Sequence, residues 1–289
     1  MVYSYLFALD AHVQSQGDPR VLAYPFMSSM WPNVAFCFSY LFLILAGRRF
    51  MSSRPALLVP RRFVIFYNAV MVVVNAFMFA EIIRFAWLRG HSLRCADVDA
   101  SPTPESDRLV RAGFLFWFVK IVEFIDTFLF VLRKKEAHVS FLHVFHHFAV
   151  PLSLWFAIKI APGGHGVLFA TINTFVHTLM YLYYGLAAAL TSAEARTKYL
   201  WWKVWLTRLQ IVQFVVTCLH STQMLFDNSC RYPLFFAYLL NFYSFLFFLL
   251  FADYYRKSYL KSREEAAAGK GNKSLNWTGV AASKTIKTQ

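Results

Sequence analysis

Residues 139–158 read VSFLHVFHHFAVPLSLWFAI, a stretch that contains no Asp, Glu, Lys or Arg. An apolar helix of about 20 residues is long enough to cross the hydrocarbon core of a bilayer, which is roughly 30 Å thick. Comparable apolar stretches recur along the chain. The sequence therefore predicts an all-α, polytopic membrane protein with seven membrane helices, at 31–47, 63–88, 111–132, 139–158, 166–190, 204–226 and 234–252.

The composition agrees with a membrane protein and excludes an ordinary soluble domain. Hydrophobic residues make up 58% of the 289 residues and charged residues only 15%, whereas a soluble domain carries about 25% charged residues. The net charge of +14 lies in short loops and in the C-terminal segment rather than on one face. That distribution indicates membrane topology and an anionic substrate, and we expect no nucleic-acid partner.

The loop charges predict the orientation of the chain. Lys and Arg collect in the first, third and fifth loops and after the last predicted helix, whereas the second loop is balanced by acidic residues. Because cytosolic loops are enriched in Lys and Arg, we expect a lumenal N-terminus and a cytosolic C-terminus. The predicted parts are a lumenal N-terminal segment (1–30), a membrane domain (31–260) and a disordered cytosolic tail (261–289).

Two features are predicted for the lumenal side. Cys95 and Cys230 fall in the second and sixth loops, where an oxidising lumen permits a disulfide. Two unpaired thiols are the alternative, because sequence alone does not fix connectivity. Glu81 and Arg84, three residues apart near the lumenal end of one predicted helix, are expected to form a structural ion pair.

Polar side chains inside four predicted helices indicate a site near the cytosolic face. Ionisable groups inside a membrane are costly, so each needs a partner or a function. Because successive helices run in opposite directions, these groups lie at similar depth, as an active-site cavity requires. For the group that starts at Lys120, the alternative is a structural ion pair, and for the two glutamines it is interhelical hydrogen bonding. The groups are Lys120, Glu123 and Asp126; His143, His146 and His147; Asn173, His177 and Tyr181; and Gln210 and Gln213.

Three histidines within HVFHH (143–147) suggest one of two chemistries. The HxxHH pattern also occurs in metal-dependent membrane desaturases and hydroxylases, and a histidine-box oxidation of lipid is the alternative function. Those enzymes need several histidine boxes, and no second box exists in this chain. Neutral imidazole is also a nucleophile that can attack a thioester and form an acyl-imidazole. Glu123 or Asp126 could then hold a ring in the required tautomer.

Four motifs on separate predicted helices carry a resemblance to a known family. They are KIVEFIDT (120–127), LHVFHH (142–147), NTFVHTLMYLYYGL (173–186) and TRLQIVQF (207–214). In these residues the chain strongly resembles the ELO family of very-long-chain fatty acid elongases, of the animal type, over roughly residues 17–260. The resemblance implies a multi-pass enzyme of the endoplasmic reticulum membrane. That enzyme condenses acyl-CoA with malonyl-CoA and releases CoA, carbon dioxide and a 3-oxoacyl-CoA two carbons longer.

The resemblance also implies roles for the polar residues. We expect His146 to attack the acyl thioester and His177 to act as partner base or to position the acyl carbonyl, with His143 and His147 completing the pocket. Lys120 balances the charge of the two carboxylates, and Tyr181 supports the site. The residues expected to donate hydrogen bonds to developing oxyanions are Asn173, Gln210 and Gln213.

The substrates suggest further contacts. CoA carries phosphates, so the cytosolic lysines Lys134, Lys135, Lys198 and Lys203 are candidate CoA ligands. We expect the helices to form a six-helix type of bundle. The acyl chain is expected to run inside it toward the lumenal side, between the helices 63–88, 166–190, 204–226 and 234–252. We expect no bound cofactor or metal. Besides long-chain acyl-CoA, malonyl-CoA and the bilayer, candidate partners are other enzymes of the elongation cycle and a second copy of the chain. His138 departs from the glutamine that relatives usually carry, which leaves fine specificity open.

Overall fold

The computed structural model describes residues 2–226 and 229–260, and within these ranges the chain forms helices and no strand. The predicted tail, 261–289, lies outside the described residues. The α-helices are α1 (Val2–Ser15), α2 (Trp31–Ser52), α3 (Arg61–Phe85), α4 (Pro104–Val122), α5 (Phe124–Leu132), α6 (Phe141–Ile160), α7 (Val167–Ala189), α8 (Ala193–Tyr199), α9 (Lys203–Gln223) and α10 (Leu234–Tyr255).

Five helical stretches of the described chain are long and apolar enough to cross a membrane. The class of all-α membrane protein is therefore confirmed. The helices α4 and α9 do not reach the same apolarity, because α4 carries Lys120 besides the charged residues of its first turns, and Arg208 and three glutamines lie in α9. The five stretches are Trp31–Ser52, Arg61–Arg89, Phe141–Ile160, Gly164–Ala189 and Leu234–Leu260.

The long helices pack around a closed circuit. The most extensive pair is α3 with α7, and further contacts lead from α3 to α4, from α4 to α6 and from α6 to α10. From α10 they continue to α9 and from α9 back to α7. Helix α2 lies outside this circuit, against α5 and α6. The circuit leaves an interior space between its six members.

The predicted helix 111–132 differs from the observed one in two ways. Helix α4 begins earlier, at Pro104, because Thr103 accepts a hydrogen bond from the Ser106 amide and proline suits the first helical turn. The helix then breaks at Glu123, and α5 starts at Phe124.

The N-terminal segment docks on the far end of α6. The Asp18 amide donates to the Lys159 carbonyl at 2.8 Å, and the Lys159 ammonium donates to the Met27 carbonyl at 3.1 Å. Lys159 is buried, and a Cβ atom at Gly17 would overlap its side chain, so a larger residue at that position would displace the lysine. Residues 17–27 are thus part of the packed structure.

Ion pairs at the same end differ from the predicted one. Glu81 of α3 pairs with Arg108 at 3.0 Å and with Arg111 at 3.6 Å. The predicted partner, Arg84, lies instead over the ring of Phe85. The prediction was wrong because α4 begins early enough to place its own arginines beside Glu81.

Cys95 and Cys230 are joined by a disulfide in the structure, with their Cα atoms 5.6 Å apart. The bond connects the segment between α3 and α4 to the segment between α9 and α10. These two segments are separated by 135 residues of sequence.

Replacing Cys95 or Cys230 with serine should lower the thermal unfolding midpoint of the detergent-solubilised protein by several degrees. The chain-entropy account assigns about 2–5 kcal/mol to a bond that closes so long a loop. The measurement is a thermal scan without reductant. Cys218→Ser is the matched control, because serine can keep the hydrogen bond to Asn241, and it should melt as the wild type does. Equal midpoints for all variants would contradict the expectation.

Candidate active site

A buried ion pair holds one imidazole. Glu123 Oε1 accepts a hydrogen bond from Lys120 Nζ at 2.9 Å and lies 3.0 Å from His177 Nδ1. These residues are 0%, 1% and 7% exposed, respectively. Lys120 Nζ also lies 3.3 Å from His177 Nδ1, so this ring nitrogen faces the ammonium and the carboxylate at once. The arrangement brings together three of the predicted site residues: Lys120 of α4, His177 of α7, and Glu123 at the boundary between α4 and α5.

Asp126 has a different partner from the one expected. It accepts a hydrogen bond from the Tyr181 hydroxyl at 2.6 Å, and among the described residues it makes no bond to an imidazole. The expectation that Asp126 orients a histidine was therefore wrong. Asp126 instead bonds to α7, at Tyr181.

The three histidines of α6 are close to one another at the start of the helix. Ser140 caps the helix by accepting a hydrogen bond from the His143 amide at 3.2 Å. The rings of His143 and His147 are 4.4 Å apart, and those of His146 and His147 are 5.2 Å apart. Pro151 lacks the amide that would bond to the carbonyl of His147, which leaves the helix ladder open beside the histidines.

Sequence reasoning missed two residues that contact the histidines. Thr127 Oγ1 lies 2.8 Å from His143 Nε2, and the Tyr40 hydroxyl lies 2.9 Å from Thr127 Oγ1. Thr127 is the last residue of the KIVEFIDT motif, so the sequence did offer a signal for it. Tyr40, however, is one of several aromatic residues in an apolar helix, and nothing in its sequence context distinguishes it from packing.

The predicted amides occupy different surroundings. Asn173 Oδ1 and Gln213 Oε1 are buried, and neither has a hydrogen-bond partner among the described residues. Gln210 Nε2 faces the Met180 sulfur at 3.8 Å. Of the three, only Asn173 lines the interior cavity.

That cavity lies inside the helix circuit and is mostly apolar. His146 and Asn173 are polar members of its wall, and Tyr232 lies in the wall near the disulfide. The lining comes from α3, α7, α9 and α10, as expected, but also from α4 and α6, which were not included in the prediction. His146 also packs against Phe247 of α10, with the rings 5.1 Å apart.

Two of the four predicted CoA lysines share a cationic cluster outside the helix circuit. Partial burial and the charges of Lys135, Lys203 and Arg133 lower the pKa of His138. The pKa of Lys135 is also lowered, by burial and then by Arg133 and Arg196. Positive groups that lower one another's pKa in this way favour the binding of an anion between them.

The other two predicted lysines point elsewhere. Lys134 has a positive φ of 51°, and its ammonium is 3.5 Å from the carbonyl of Ser52 at the end of α2. Lys198 is exposed, and its ammonium lies 5.4 Å from the centre of the Tyr199 ring.

The histidines of α6 and α7 do not converge as metal ligands do. Among the described residues, ligand atoms of at least three His, Cys, Asp or Glu residues come within 4.8 Å of one another in a single group, Cys95, Asp97 and Cys230. Both sulfurs of that group belong to the disulfide.

Comparison with known proteins points to one family. Residues 25–267 match the family described as ELO: GNS1/SUR4 family. The chain is 40% identical to very long chain fatty acid elongase 7 of Drosophila melanogaster, over 91% of this chain and 80% of that protein. It is 41% identical to human very long chain fatty acid elongase 1, over 87% of this chain and 89% of that protein. Mouse very long chain fatty acid elongase 4 is 36% identical, over 91% and 83% of the two chains.

The Lys120–Glu123 pair provides a stability prediction. Glu123→Gln leaves the Lys120 ammonium buried without its counter-charge, which should destabilise the protein by about 3–5 kcal/mol. The double variant Lys120→Met/Glu123→Gln removes both charges and should recover most of the lost thermal midpoint. The measurement is thermal unfolding followed by fluorescence-detected size exclusion. A double variant that melts as low as Glu123→Gln would show that charge balance is not what the pair contributes.

Proposed function

This chain belongs to the ELO (GNS1/SUR4) family and is a condensing enzyme of fatty acid elongation, and we propose that it works through an acyl group held on His146. The substrates are a long-chain acyl-CoA and malonyl-CoA. The products are a 3-oxoacyl-CoA two carbons longer, CoA and carbon dioxide.

The proposed reaction has two steps. A neutral His146 attacks the acyl thioester, an N–C bond forms, the C–S bond breaks, and the proton of the ring N–H passes to the CoA thiolate. Malonyl-CoA then loses carbon dioxide, and the resulting enolate attacks the acyl carbon. The new C–C bond replaces the N–C bond, and the departing ring nitrogen takes up a proton from solvent, which returns His146 as neutral imidazole.

The observation that carries this proposal is the position of His146. Its imidazole lies in the wall of an apolar cavity inside the helix circuit, which suits a fatty acyl chain whose thioester meets the ring. The other end of the cavity, at Tyr232, takes the methyl end of the chain. Asn173 lines the same cavity and is the amide best placed to donate to a developing oxyanion, with Gln210 and Gln213 farther from it.

The remaining histidines assist this step. His177, held through Nδ1 by Glu123 and Lys120, acts as the partner base. His143 and His147 complete the pocket around the thioester. Lys120 neutralises Glu123, and the Asp126–Tyr181 hydrogen bond fixes α5 against α7.

The chain crosses the endoplasmic reticulum membrane seven times in this proposal, by α2, α3, α4 with α5, α6, α7, α9 and α10. The disulfide at one end of the circuit supports a lumenal location for that end, because disulfides persist in oxidising compartments. The histidines and the cationic cluster lie toward the opposite, cytosolic end. Residues 1–30 are then lumenal, 31–260 form the membrane domain, and the C-terminus is cytosolic.

CoA binds at the cationic cluster. Its phosphates fit between Lys135 and Lys203, with Arg133 and His138 as further contacts. Lys134 and Lys198 contribute less in this arrangement, because their side chains are directed to other groups.

A covalent intermediate should be detectable. Purified protein mixed with a long-chain acyl-CoA and no malonyl-CoA should gain the acyl mass on the peptide that holds His146, with release of CoA, as measured by intact mass and peptide mapping. Malonyl-CoA should then discharge it. His146→Ala should form neither adduct nor product, whereas His12→Ala, at an exposed histidine outside the site, should behave as the wild type.

The outcomes separate the mechanism from the activity. Normal elongation without an adduct would replace the two-step reaction by direct condensation. Full condensing activity in His146→Ala would remove the nucleophile assignment.

Orientation and CoA binding can be tested together. In sealed microsomal vesicles, a membrane-impermeant amine reagent should label Lys135, Lys203 and Lys257 from outside, because all three face the cytosol. Added CoA should reduce labelling of Lys135 and Lys203, by several-fold, but not of Lys257, which pairs with Asp253. Peptide mapping measures both effects.

The two proposals fail separately in this experiment. Labelling that appears only after the vesicles are permeabilised would reverse the orientation. Labelling from outside that CoA does not change would leave the orientation intact and move the CoA site elsewhere.

A further inference from the structure

A buried chain of hydrogen bonds reaches the histidines from outside the helix circuit. Tyr40 of α2, Thr127 of α5 and His143 of α6 are linked in sequence, with oxygen–oxygen and oxygen–nitrogen distances of 2.9 and 2.8 Å. Tyr40 is 1% exposed and Thr127 is 0% exposed. The chain ends on Nε2 of His143, one of the two nitrogens that the ring can offer to a reaction.

Thr127 uses its hydroxyl differently from the threonines of α7. In α7, the hydroxyls of Thr171, Thr174 and Thr178 each donate to a carbonyl one turn earlier, at 2.7–2.9 Å. The residue one turn before Thr127 is Glu123, where the helix breaks. Within the described residues, the Thr127 hydroxyl bonds to Tyr40 and His143 instead.

The direction of the chain follows from counting protons. Thr127 is the only acceptor that the described residues offer to the Tyr40 hydroxyl proton. If Tyr40 donates to Thr127, then Thr127 donates its own proton to His143, and every hydroxyl proton is satisfied. The reverse direction leaves a buried phenolic proton without an acceptor, which is unfavourable. Nε2 of His143 therefore holds a lone pair, and the proton of the neutral ring is on Nδ1.

We propose that Thr127, supported by Tyr40, is a positioning residue that holds His143 as a proton donor to the substrate. With Nε2 tied to Thr127, Nδ1–H is the ring group left for the thioester carbonyl. His177 is held differently, because its contacts to Glu123 and Lys120 are both made through Nδ1. This assignment rests on the proposed function, in which His143 belongs to the reaction pocket.

Kinetics of four variants test the assignment. Thr127→Val, which keeps the shape and removes the hydroxyl, should lower kcat about tenfold or more and leave KM for acyl-CoA within about twofold. Thr127→Ser should restore most of kcat. Tyr40→Phe should give a smaller loss, and Tyr40→Phe/Thr127→Val should be no slower than Thr127→Val, because Tyr40 acts through Thr127.

The matched control is Thr217→Val. Thr217 is as buried as Thr127, but its hydroxyl has no partner in the described part of the chain, so kcat should not change. A loss at Thr217 equal to that at Thr127 would assign the effect to packing and overturn the proposal.

Histidine-selective ¹⁵N NMR gives a readout that a purely structural role would not change. The wild type should show Nε2 of His143 unprotonated and Nδ1 protonated, with the signals identified by their loss in His143→Ala. Thr127→Val should shift both nitrogens toward a mixture of tautomers. A protonated Nε2 in the wild type would overturn the inference.

The parent proposal fails in a different way. If His143→Ala keeps full condensing activity, His143 does not belong to the pocket and the proposed function must be revised. If His143→Ala is inactive but Thr127→Val has wild-type kcat, the role of Thr127 alone is wrong.

Discussion

A carboxylate that has no access to water, that of Glu123, is the constraint on which this structure depends. Burial of a charge in a low-dielectric interior is favourable only when partners surround it. Lys120, one turn earlier, and His177, on another helix, are those partners. The same residue marks the break between α4 and α5. Charge pairing, a contact to one histidine and the boundary between two helices therefore meet at a single position.

The histidines differ in what holds them. His177 is tied to Glu123, His143 is tied to Thr127, and His146 lies in the cavity wall against Phe247. Different partners thus place chemically identical side chains in three different surroundings.

The sequence was a good guide to the long apolar helices and to the polar residues that lie inside them, because long apolar stretches and ionisable groups in a membrane are both rare enough to be informative. It was a poor guide to partners. Spacing along a helix defines a face but not which neighbour that face meets, so Asp126 was assigned an imidazole and contacts Tyr181, and Glu81 was assigned Arg84 and contacts Arg108. Tyr40 was missed because an aromatic residue in an apolar helix resembles packing. The break at Glu123 has no glycine or proline to predict it.

The docking of the N-terminal segment on α6 has a consequence for biosynthesis. A ribosome makes the chain from its N-terminus, so Asp18 emerges long before Lys159, whose carbonyl will accept its amide. The thiol of Cys95 likewise cannot form its disulfide until Cys230, a further 135 residues along the chain, has been made. Early segments must therefore stay unpaired while later helices are inserted. A nascent chain arrested before residue 230 carries a free thiol at Cys95, however many helices it has already placed in the membrane.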